Sequence, residues 1–169
     1  MAQQQNISNN PYLAIFEQYV EEASFLWLLR SVALTQPHYT VGDLAELEQR
    51  IENHLDGLLG GPEEAWHVCK DALLYEEPGE VFTAAIVAFK SMEAAKIQVV
   101  VESACANRNA MKGLISALAW LPFQLVNSWL KKFIRSKDFN HKYIAISAYG
   151  ARRVDPVNEL DRLLQREDC

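Results

Sequence analysis

The chain has 169 residues, half of them hydrophobic, and a net charge of −6. That length fits one domain with a full core, and the apolar content excludes global disorder. The negative balance argues against nucleic acid or an anionic membrane as the main partner.

Residues 1–10 (MAQQQNISNN) are polar and low in complexity, with no basic or apolar region of a signal peptide, and read as a disordered tail. Asn10-Pro11 is a helix start, because a proline in the first turn gives up only an N–H that has no partner there. Leu13, Phe16, Val20, Ala23 and Trp27 then keep a three-to-four spacing, and past Phe25 the run FLWLLRSVAL is apolar nearly all round, which predicts a helix covered on several sides. Gln36-Pro37 stops it. Thr40 and Asp43 form a capping box for a helix whose stripe is Leu44, Leu47, Ile51, Leu55 and Leu58. Gly60-Gly61 ends that helix. Pro62-Glu63-Glu64 opens a third, carrying Ala65, Trp66, Cys69, Leu73 and Leu74.

After Glu77-Pro78-Gly79, two shorter helices centre on residues 81–89 and 94–104. Asn107 or Asn109 caps the next, which holds Met111, Leu114, Ile115, Leu118 and Leu121. Past Pro122 the pairs Leu125/Val126, Trp129/Leu130 and Phe133/Ile134 recur every four residues, a strongly amphipathic helix. Asp138 or Asn140 starts the helix with Ile144, Ala145, Ala148 and Tyr149. Asp155-Pro156 starts a last one with Val157, Leu160, Leu163 and Leu164. The β-prone run at 97–101 sits inside helical spacing, so the chain reads as all-α.

An echo runs through the second half. Ile115-Ser116-Ala117-Leu118 returns thirty-one residues on as Ile146-Ser147-Ala148-Tyr149, and Ile86-Val87-Ala88-Phe89 precedes it by twenty-nine. Pro122 is echoed by Pro156, the triple Leu130, Phe133, Ile134 by Leu160, Leu163, Leu164, and Asp138 by Asp168. A helical pair at this period cannot bury its apolar face alone and must stack on the next, which predicts an α-solenoid. The expected organisation is a tail over residues 1–10, an N-terminal helical hairpin cap over 11–60, and HEAT-like helical pairs over 62–169 in a right-handed superhelix. The chain stops where another repeat would begin, so a truncated C-terminal end is expected.

Residues 44–69 (LAELEQRIENHLDGLLGGPEEAWHVC) resemble the N-terminal signature of an uncharacterised bacterial family with HEAT-like repeats. In that family a helix ending His-Leu-Asp-Gly-Leu is followed by a helix bearing Trp and Cys. The segments EQYVEEASFLWLLR and GLISALAWLP fit the same pattern, so the resemblance spans the chain from about Tyr12 onward. It implies longer members with further repeats. The family often occurs in genomes carrying type VI secretion genes, which implies a link to effector loading or to immunity. No motif in it is catalytic.

Candidate chemistry is sparse. His54, Asp56, His67, Cys69 and Asp71 form the one cluster of metal-ligand types. His67 and Cys69, two apart on a helix, point about 200° from each other and cannot readily share an ion. A packed or capping histidine at 54 is the expected role. Cys69, Cys105 and Cys169 lack CxxC spacing and are odd in number, which suits reduced thiols in a cytoplasmic protein. No GxSxG elbow, Cys/His signature or phosphate-binding glycine loop accompanies them, so neither cofactor nor metal is expected.

The charge is uneven. Residues 1–127 carry 7 Lys and Arg against 16 Asp and Glu, and residues 128–169 carry 9 against 6. Within the basic part Gln124, Ser128, Lys131, Lys132 and Arg135 fall on one side of their helix, opposite its apolar stripe. That side is either an ordinary solvated face or a surface for an acidic partner. Trp120, off its own helix's stripe, is either a packing residue between repeats or an exposed interface aromatic. The expected function is a non-enzymatic protein-binding scaffold or adaptor. The alternatives are a HEAT-like enzyme such as a DNA glycosylase or hydrolase, which should show a basic groove, and a spacer within a longer solenoid.

Overall fold

The computed structural model describes residues 12–156. Among them run eight helices and no strand: α1 (Leu13–Ala33), α2 (Val41–Leu59), α3 (Pro62–Ala72), α4 (Pro78–Ser91), α5 (Ala94–Cys105), α6 (Arg108–Trp120), α7 (Phe123–Ile134) and α8 (Phe139–Arg152), with a 3-10 turn at Leu73–Tyr75. None of these helices is long and apolar enough to cross a membrane.

Local chemistry sets the boundaries. At the start of α2 the Asp43 backbone N–H donates to Thr40 Oγ1 at 3.2 Å, and the Thr40 N–H donates to Asp43 Oδ2 at 2.8 Å, closing the capping box. Pro62 and Pro78 sit in the first turns of α3 and α4. Asn107, rather than Asn109, caps α6 by accepting from the Ala110 N–H at 2.7 Å. Asp138, rather than Asn140, caps α8, accepting from the Asn140 N–H at 2.7 Å.

The core is organised around α4. Every residue from Pro78 to Phe89 except Glu80 is buried, because α1, α3, α5 and α6 all pack against it. Small residues make this possible. A Cβ built on Gly79 would lie 2.6 Å from the Ser24 carbonyl oxygen, so α1 rests on bare α4 backbone. Larger side chains then fill the seams. Trp27 stacks on Phe82 with centroids 5.4 Å apart, and Trp120 meets the same ring edge-on at 5.5 Å, joining α1, α4 and α6. The buried hydroxyls of Ser24 and Thr83 satisfy each other at 2.9 Å, and the Trp27 indole N–H donates to Ser116 Oγ at 2.8 Å.

The helices carrying the thirty-residue echo are α4, α6 and α8, and they pack in that order, α4 on α6 and α6 on α8. The last two residues of each copy, Ala88/Phe89, Ala117/Leu118 and Ala148/Tyr149, are buried in all three. Between them α7 lies along α8, and Phe89 of α4 meets Trp129 of α7 with centroids 6.1 Å apart.

The corner at Pro122 creates a specific need. Proline has no N–H, so the carbonyl of Leu118, four residues earlier, loses its helical donor. Arg152, at the end of α8, replaces it. Its Nη1 reaches the carbonyl oxygens of Leu118, Ala119 and Leu121 at 2.6, 3.0 and 2.7 Å, and its guanidinium lies 5.2 Å over the Phe123 ring. Arg152→Ala should therefore cost about 2 kcal/mol, the desolvation penalty of carbonyls left without a partner. A shift of the urea midpoint for this variant measures it, and an unchanged midpoint would remove Arg152 as the link between α6 and α8.

Three expectations require correction or fall outside view. The run past Phe25 is covered on several sides, by α2, α3 and α4, but its apolar residues are not all inside: Phe25 is 63% exposed and Leu28 and Val32 about half, forming an outward apolar stripe on α1. Leu74 is 82% exposed, because α3 ends at Ala72 and the tighter 3-10 turn swings it out of the core. The helix expected after Asp155, with Val157, Leu160, Leu163 and Leu164, lies outside the described residues, as do Asn10 and Pro11.

Candidate functional site

The side of α7 singled out from the sequence is a real surface. Val126, Leu130, Phe133 and Ile134 are buried on one side of the helix. Gln124, Ser128, Lys131 and Lys132 stand exposed on the other, with Arg135 following as the C-cap. The lysines suit their place structurally as well, since cations in a last turn face the negative end of the helix dipole. Lys132 Nζ lies 4.7 Å from the Trp129 ring centroid, and Lys131 lines a hollow with Tyr149 and Asp155.

Trp120 does not join this row. It ends α6 half-buried, with its indole N–H donated to Glu52 of α2, its ring against Phe82 of α4, and the Arg30 guanidinium of α1 5.5 Å over it. The packing role is the one the structure gives it. Its polar tip is spent on a carboxylate that holds α2 to α6.

The His and Cys candidates separate. His54 Nε2 lies 3.0 Å from Glu22 Oε2 and its ring packs beside Tyr19, which ties α2 to α1. His67 sits 3.9 Å from Asp71 on the surface of α3, while Cys69 faces the core. Among the described residues no three of His, Cys, Asp and Glu come together to hold a metal ion. Burial pushes the Cys69 thiol up to about 12, and burial followed by the charge of Asp138 raises Cys105. Neither is thus a ready thiolate nucleophile. Under native conditions at neutral pH, alkylation mapped by mass spectrometry should modify Cys105 before Cys69, and both far more slowly than in the unfolded chain. Rapid labelling of Cys69 would contradict the packing around α3.

Two concave features were not read from the sequence. The first, about 220 Å³, lies between α1 and α3, where Glu17, Glu21 and Asp71 gather with His67 and Glu80 around Leu13 and Val20. Burial raises the Glu80 carboxyl above the usual carboxylate range, and the charge of Glu77 adds to it. The second is an open groove of about 560 Å³ across α1, α6 and α8, with Arg30, Lys112, Trp120 and Tyr143 on its walls. The sequence signal for its α6 wall alone was the helical spacing of Lys112, Ile115 and Ala119, one stripe along α6.

Set beside family models, curated proteins and solved structures, the chain matches none of them. The fold itself defines the class: an all-α protein of packed consecutive helices.

Proposed function

We propose that this chain folds as a HEAT-like α-solenoid and serves as a non-enzymatic scaffold or adaptor for another protein. The serial packing of α4, α6 and α8, each carrying a copy of the same short pattern, supports the solenoid reading. In it, α1 and α2 form the capping hairpin. Stacked helical pairs present long continuous faces, which is the geometry on which such proteins hold partners.

The observation that carries the binding reading is the exposed side of α7, where Gln124, Ser128, Lys131 and Lys132 make a row containing no carboxylate in a chain of net charge −6. An acidic protein surface is its natural complement. The cytoplasmic setting, which rests on the unpaired spacing of Cys69, Cys105 and Cys169, and the connection to type VI secretion or effector immunity, which rests on the family resemblance alone, belong to the same proposal.

The test is capture of partners from the native host with the chain and with its Lys131→Glu/Lys132→Glu variant as baits, read by mass spectrometry. One protein enriched by the first and lost with the second is the expected result. Identical enrichment by both baits would remove α7 from the reading.

A further inference from the structure

We propose that the groove between α6 and α8 binds an acidic segment of a partner protein. The proposal rests on the reading of the chain as a protein-binding module but not on the row along α7, none of whose residues lines the groove. The groove is open, about 560 Å³ in volume, and its floor is made by the small residues Ser116, Ala119, Ser147 and Ala151, so an incoming backbone can approach the helices closely.

Its electrostatics are one-sided. Among the described residues no carboxylate lines it, although acids outnumber bases in the chain, 22 to 16. Arg30 on the α1 wall is matched by Glu48 at 2.6 Å. Lys112 and Arg108 are not matched in this way: Lys112 donates to the neutral amide of Asn109 at 3.3 Å, and Arg108 lies over the Tyr143 ring at 4.7 Å. Among the described residues neither has a carboxylate within ion-pair distance.

Arg108 is also in an unfavourable place for the fold. It is the first residue of α6, whose first turn has no acid, and a cation there opposes the helix dipole. Stability alone would favour Asp or Glu at that position. Arg108 does not itself line the groove but lies over the ring of Tyr143, which does, so an anionic occupant reaching along Tyr143 is what would offset the Arg108 and Lys112 charges together, while Ile115 offers it an apolar contact.

A protein segment fits better than a single-stranded nucleic acid. Single strands need open aromatic faces on which successive bases stack. Here Tyr143 and Trp120 each already carry an arginine on the ring, and the Trp120 N–H is committed to Glu52. The net charge of −6 also repels an extended polyanion more than a short acidic stretch.

The experiment is selection from a random peptide library displayed on phage against the purified chain. It is followed by binding titrations of the enriched peptides to Arg108→Glu/Lys112→Glu and to Lys131→Glu/Lys132→Glu. All four positions are exposed, and thermal melts are to be run on both variants to check that they fold. Enriched peptides should be rich in Asp and Glu with an apolar anchor, and the first variant should bind them about tenfold or more weakly while the second changes affinity less than about twofold. Failure to enrich acidic peptides, or binding insensitive to the Arg108 and Lys112 reversals, would overturn the proposal. Loss confined to the second variant would overturn it and leave the α7 reading standing. Oligothymidylate binding more tightly than any selected peptide, and lost with the first variant, would overturn it in favour of nucleic acid.

Discussion

Gly113→Ala is expected to destabilise the chain by about 3 kcal/mol, at the upper end of what overpacking costs. In an ordinary helix interior the same change is favourable by about 1 kcal/mol, because alanine is the better helix former. The sign reverses here because a Cβ on Gly113 would lie 2.0 Å from the Pro78 carbonyl oxygen and 3.0 Å from the Phe82 backbone nitrogen. Both are main-chain atoms of α4, which cannot rotate away as a side chain could. The methyl group would have to push α6 off α4, opening the seam between them. Chemical denaturation of the variant measures the effect, and a stability equal to or above the parent would show that the two helices do not meet so closely.

Phe82→Ala should cost about 4 kcal/mol, the range for deleting a fully buried aromatic side chain. Phe82 has no exposed surface and lies between Trp27 and Trp120, so its removal takes a ring contact from each and leaves a cavity where α1, α4 and α6 meet. Stability of folded domains is typically about 5–15 kcal/mol, so this variant should sit near the edge of folding. Tryptophan emission should shift to the red as the indoles gain access to water. A midpoint within error of the parent would mean that α4 is not the hub of the core.

Much of the architecture was legible because the chain punctuates itself clearly. Thr40 with Asp43, Pro62, Pro78, Asn107 and Asp138 all mark helix starts by mechanisms that act within a turn of sequence. The stripes of α2 and α7 were likewise readable, since their outer sides are polar. Patterns apolar on all sides were harder. The run from Phe25 to Leu34 and the run from Val81 to Phe89 look alike by periodicity, yet α1 leaves Phe25, Leu28 and Val32 outward while α4 is enclosed. The difference lies in side-chain size. Ala84, Ala85, Ala88 and Gly79 let neighbours close around α4, whereas the bulk on α1 falls on one side of a helix whose other side already holds α2 and α4.

The candidate site divides in the same way. The exposed row of Gln124, Ser128, Lys131 and Lys132 follows from the period of a single helix, and the structure keeps it together. Trp120 could not be placed by period alone, because its partners Arg30, Glu52 and Phe82 come from three distant helices. Only the α6 wall of the α6–α8 groove could be seen in the sequence, for that reason too: its walls are drawn from residues 30, 112, 120 and 143, which only packing brings together.

Amide hydrogen exchange of the chain, alone and with the captured partner, tests the binding reading most directly. The expected result is slowed exchange confined to α7 and to the facing parts of α6 and α8. Slowing centred instead on α1 around Phe25, Leu28 and Val32, with α6, α7 and α8 unchanged, would contradict it and make that apolar stripe the contact.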